Sequence, residues 1–186
     1  MQDRLKLAGL LAIVNALLIY PLSDMAMSLS GRSSFSAMLL FGMVSAIGFF
    51  LFVYVFSTLK ILLNQRFDYH GADLALIALI SLNAANIVVN LLLAFLGMAH
   101  ELLEAISFVL VIGTGVAFVF VGWKLRSVPQ YLYDFGRALP YTLIPMGIAI
   151  ASVVLIKYGV LIGVVMYLIL GIVLSKAARE YEEQKL

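Results

Sequence analysis

The chain has 186 residues, of which 64% are hydrophobic and 12% charged, with a mean hydropathy of +1.10 and a formal net charge of +2. One soluble core of this length cannot hide that much apolar surface, since the usual apolar share is about half, so lipid is the expected solvent. The uneven split of that charge is the ordinary positive-inside pattern of a membrane protein and does not argue for nucleic acid, and the absence of Cys excludes disulfides, thiolate nucleophiles and thiol metal ligands.

A helix needs roughly 20 apolar residues to cross about 30 Å of hydrocarbon. Six segments meet or approach that length: 7–29, 35–59, 74–98, 102–123, 139–156 and 158–174. The expected fold is therefore all-α, a polytopic membrane helical bundle with six transmembrane helices forming one domain over residues 1–186. Residues 2–6 and 7–19 also have the charge and length of a signal peptide, but we expect them to remain as the first span. That span carries Ala8, Ala12 and Ala16 at helical spacing, with Asn15 midway along it. In the second, Phe41, Phe49, Phe50, Phe52, Tyr54 and Phe56 fit lipid contact or bulky core packing better than a cofactor box.

The loop between the fourth and fifth spans, residues 125–138, interleaves Tyr131, Tyr133 and Phe135 with charges. Aromatic and basic residues favour the headgroup region, so we expect an interfacial linker on the cytoplasmic leaflet. Pro140 and Pro145 predict a Pro-initiated fifth helix with an early kink. Lys157 alone interrupts the apolar run that follows, and it is expected to snorkel to the outer interface and mark a tight hairpin. Gly159, Gly163, Gly171 and Ser175 let a neighbouring backbone approach the sixth span closely, more often within one bundle than between copies. Residues 175–186 read as a charged cytoplasmic tail.

Ten of the twelve Lys and Arg residues fall before the first span, after the last, or in the second and fourth loops. Cationic loops resist translocation, which predicts that both termini are cytoplasmic and that the chain is a multi-pass protein of the cell (inner) membrane.

The one polar feature deep in a span is Asn83, Asn86 and Asn90. At 100° per residue the three amides fall within a stripe about 60° wide. An unpaired carboxamide in hydrocarbon is costly, so the stripe must face protein or water. Asn15 is the candidate partner. These amides are either glue between helices or the lining of a solute site. At the outer face Asp24, His100, Glu101 and Glu104 gather at helix ends. The run from His100 to Glu104 lacks the second His of a zinc motif, so acids favoured by a helix N-terminus, with Arg32 and Lys157 as counter-charges, are expected rather than a metal site.

No Asp, Glu or His falls in the middle of a span, which argues against intramembrane proteolysis and haem ligation. The expectation is a protein that is not an enzyme, holds no cofactor or metal, and binds or conducts a small solute through a bundle lined by Asn15, Asn83, Asn86 and Asn90. The alternative is a structural or accessory subunit of a larger membrane complex. The expected partners are the lipid bilayer and, on that alternative, other membrane subunits, with no nucleic acid.

Overall fold

The computed structural model describes residues 1–30, 35–96, 101–128 and 137–183. Among them lie six helices: α1 (Gln2–Ser30), α2 (Phe35–Phe67), α3 (Asp73–Leu96), α4 (Glu101–Arg126), α5 (Ala138–Ala151) and α6 (Ile156–Glu183). All but α5 are long and apolar enough to cross a membrane. The 14 residues of α5 rise about 21 Å at 1.5 Å per residue, short of a full crossing.

The helix expected over residues 139–156 thus ends early, and the break lies before Lys157 rather than at it. Its cause is Ser152, whose hydroxyl donates to the Ala149 carbonyl at 2.8 Å and accepts from the Leu155 amide at 3.2 Å. These bonds satisfy backbone groups that the next helical turn would otherwise hold. Val153 follows with φ of 59°, a left-handed conformation that turns the chain back. Lys157 sits in the first turn of α6. That helix then runs 28 residues to Glu183, so the charged tail after residue 174 continues the last span as helix. The aromatic run Tyr131, Tyr133 and Phe135 lies outside the described residues.

Each helix packs on its neighbours in sequence and α6 closes on α1, giving a ring of six. Lipid tails are as apolar as Leu, so close backbone approach and hydrogen bonds, rather than burial from water, must hold such a ring. Small residues supply the approach. A Cβ on Gly171 would lie 3.0 Å from the Gly9 carbonyl oxygen, and one on Gly9 would lie 3.1 Å from that of Gly171. Ala8, Ala12 and Ala16 are buried in the same part of the bundle. A second close seam joins α4 to α5 through Gly115 and Gly147.

The ring is tightest at one end. Its core is built from Phe52 to Leu63 on α2, Ala75 to Leu79 on α3, Ala117 to Leu125 on α4 and Met166 to Ala178 on α6. These segments all lie toward the end that carries both chain termini. In the other half, α3 from Leu82 to Leu93 and α4 from Glu101 to Gly113 contribute no buried residue. Phe52, Phe56, Phe118 and Tyr167 meet across the ring axis at centroid distances of 4.6 to 6.3 Å, mostly edge to face as ring quadrupoles prefer. They close the interior beneath the splayed half.

Polar ties fasten the terminal end. Arg66 pairs with Glu180 at 2.7 Å and lies over the Tyr181 ring, Lys6 reaches Glu182 at 3.0 Å, and Arg4 donates to Thr58 at 3.3 Å. Tyr69 donates to the Lys124 carbonyl at 2.7 Å, which fixes the α2–α3 turn against the end of α4. Burial pushes the Tyr69 phenol above its ordinary pKa, so it keeps that donor proton at neutral pH.

Candidate functional site

The splayed half divides the asparagine stripe. Asn86 and Asn90 face α4, where the Ser107 hydroxyl lies 3.4 Å from Asn86 Oδ1 and 3.1 Å from Asn90 Oδ1, and Asn90 Nδ2 donates to Asn86 Oδ1 at 3.2 Å. One hydroxyl carries one proton, so Ser107 can donate to only one of the two at a time. This cluster ties α3 to α4 as an interhelical seam. Ser107→Ala is expected to cost about 0.6–1.7 kcal/mol, the range for such bonds in membranes. A chemical-unfolding titration in detergent checks it, and no change in midpoint would mean the cluster is ornamental.

Asn83 is different. It makes no hydrogen bond to any described residue and lines a cleft of about 250 Å³ between α1, α2, α3 and α6. Asn15 lines the same cleft from α1 and Tyr167 from α6, so the structure brings Asn15 and Asn83 to one cavity and leaves Asn86 and Asn90 out of it. Asn15 and Tyr167 are each only 3% exposed, and the Asn15 amide lies close enough to the Tyr167 hydroxyl to interact with it. That interaction engages only part of an amide with two donor protons and an acceptor oxygen. Phe49, Phe52, Ile19, Leu22, Val44 and Ile87 form the apolar walls, with Ser23 and Ser45 as further polar groups.

Two lining residues escape a reading of the sequence as separate spans. Tyr167 is the one large side chain in the row Gly159, Gly163, Tyr167, Gly171, Ser175, spaced by four and hence on one helix face. That interruption of a small-residue row is a signal that could have singled it out. Gly48 gives no such signal. A Cβ added there meets nothing within 4 Å, unlike every other glycine in the described residues, so its missing side chain widens the cleft rather than admitting a neighbour.

At the far end Asp24 and Lys157 share a shallow depression with Tyr20 and Ser23. Glu101 and Glu104 are exposed in the first turn of α4, where carboxylates complement the helix dipole. His100 and Arg32 lie outside the described residues. No group of three or more His, Cys, Asp or Glu side chains that could hold a metal occurs among those described.

Five helices of membrane-crossing length and apolarity mark a membrane-embedded, all-helical protein. No protein-family model, no curated protein and no solved structure matches the chain.

Proposed function

We propose that the protein binds a small molecule in the cleft formed by Asn15, Asn83 and Tyr167. The observation that carries this reading is an unpaired amide, Asn83, facing a buried one across an open cleft. Glue between helices would have its hydrogen bonds closed by protein, as Asn86 and Asn90 largely do. The floor of packed aromatic rings from Phe52, Phe56, Phe118 and Tyr167 favours binding over conduction, because it closes the cleft from below. The role we propose is non-enzymatic, a reading supported by a described lining that pairs no nucleophile with a base. Thermal melting of the protein in nanodiscs against a panel of small metabolites tests the reading. Stabilisation by one compound, lost in Asn83→Leu, is expected; if every effect survives that substitution, the cleft is not the site.

The same reading places both termini in the cytoplasm of a cell (inner) membrane protein, with the α5–α6 hairpin as a short fifth and full sixth crossing. The ten-to-two distribution of Lys and Arg supports it. Reporter fusions after Gly71, Arg126 and Lys185 are expected on the cytoplasmic side and fusions after Arg32, His100 and Ser152 on the outer side. An inside signal at Ser152 would leave five crossings and split the termini. A second reading, an accessory subunit of a larger complex, is favoured by α3, which hardly contributes to the core in its last three turns. Co-purification of a stoichiometric membrane partner supports that reading.

A further inference from the structure

We propose that the occupant of the cleft is an uncharged, ring-sized group bearing a carbonyl or hydroxyl, presented either free from water or as the head of a lipid-soluble molecule. This rests on the reading of the cleft as a binding site and narrows what it binds. Four observations converge on that chemistry.

The first is charge. Among the described residues no Lys, Arg, Asp, Glu or His lines the cleft, and an ion in so apolar a setting, without a counter-charge, bears a desolvation cost that amide and hydroxyl groups do not offset. The second is size. About 250 Å³ lies just below the roughly 300–1,000 Å³ of drug-sized sites, which fits one ring with its substituents, and the open side of the cleft leaves any apolar tail outside. The third is the wall, where Phe49, Phe52 and Tyr167 present aromatic rings that hold a flat group by stacked or edge-on contact. The fourth is the pair of amides. Asn15 on α1 and Asn83 on α3 stand on different walls, and Asn83 makes no hydrogen bond to a described residue. An amide donates to a carbonyl and both donates to and accepts from a hydroxyl, so a ring with polar groups at opposite edges spans the two. Gly48 keeps the space between them open.

The test uses the full chain in nanodiscs and four neutral probes: benzoquinone and hydroquinone, each with and without a decyl tail. The chain has no Cys for a quinone to alkylate. Decanoate and decyltrimethylammonium supply the same tail with a negative or positive head. We expect saturable thermal stabilisation by at least one neutral probe and none by the charged pair. Gly48→Leu, which fills the cleft without meeting a neighbour at its Cβ, is expected to weaken that binding at least tenfold. Asn83→Leu is expected to weaken it about tenfold, the loss of one good hydrogen bond, and both variants should melt near the wild type without probe. Tighter binding of the tailed than of the tailless probe, beyond partitioning into an empty nanodisc, identifies the membrane as the source; equal binding identifies water. Binding of a charged probe that Gly48→Leu abolishes, with no neutral probe bound, overturns the proposal and leaves the cleft a binding site. Neutral binding indifferent to Gly48→Leu and Asn83→Leu, or no binding by any probe, overturns both.

Discussion

Gly115→Leu is expected to leave no folded bundle, and Gly115→Ala to lower stability by about 1–3 kcal/mol, the range for overpacking a close contact. A Cβ at Gly115 runs into the backbone nitrogen of Ala151 and lies 2.6 Å from the Gly147 carbonyl oxygen; one at Gly147 meets the Val119 nitrogen at 2.7 Å. Backbone atoms cannot rotate away as side-chain tips do, so α4 and α5 must part along their whole contact. Because α5 has only 14 residues, it has few other turns with which to stay attached. Gly48→Ala provides the contrast. With nothing within 4 Å of its Cβ, the substitution relieves the helix cost of glycine and is expected to add about 0.5–1 kcal/mol. Unfolding midpoints of the two alanine variants, measured side by side in detergent, check both signs. Equal midpoints would sink the account of the α4–α5 seam.

The second large effect is expected at the base of the cleft. Tyr167→Phe leaves the buried Asn15 amide short of a partner, and Asn15→Leu does the same to the Tyr167 hydroxyl. Each is expected to cost about 1–3 kcal/mol, the penalty for stranding a buried polar group. The double variant replaces both members by apolar groups and is expected to be more stable than the sum of the two losses predicts. Such a cycle isolates the pairwise contribution, which averages about 0.6 kcal/mol in membrane proteins and reaches about 1.7. Strict additivity would mean that the two side chains do not interact.

What the sequence discloses follows from where the physics is local. Apolar length and flanking charge depend on neighbours in the chain, and five of six segments form long helices. The end of α5 misleads because Lys157 is the visible interruption, while the operative residue is Ser152, whose hydroxyl takes over backbone hydrogen bonds that no periodicity reveals. The Asn stripe is visible as a face. Its division is not, since a face about 60° wide borders two neighbours and only their placement assigns Asn86 and Asn90 to Ser107 and Asn83 to the cleft. Gly115 and Gly147 are invisible for a related reason. Each is one glycine among several until α4 and α5 are known to be adjacent, and only then does the missing Cβ become a requirement.

The brevity of α5 also bears on the lipid around it. The turn after α5 presents Val154 and Leu155 to the outside, with Val154 89% exposed, so its tip is apolar although its backbone is not helical. Hydrogen bonds within the turn hold the amides of Val153, Val154, Leu155 and Ile156, so protein rather than water receives most of its polar backbone groups, as hydrocarbon depth demands. Beside a helix rising about 21 Å, a bilayer about 30 Å thick is mismatched by several ångströms, at a fraction of a kcal/mol for each. With α5 as the proposed fifth crossing, the bilayer is expected to thin over the hairpin to meet that difference. A protein that deforms its surroundings in this way has lower energy in thin, fluid membranes than in thick ones, so its placement among membranes is written partly into a helix two turns too short.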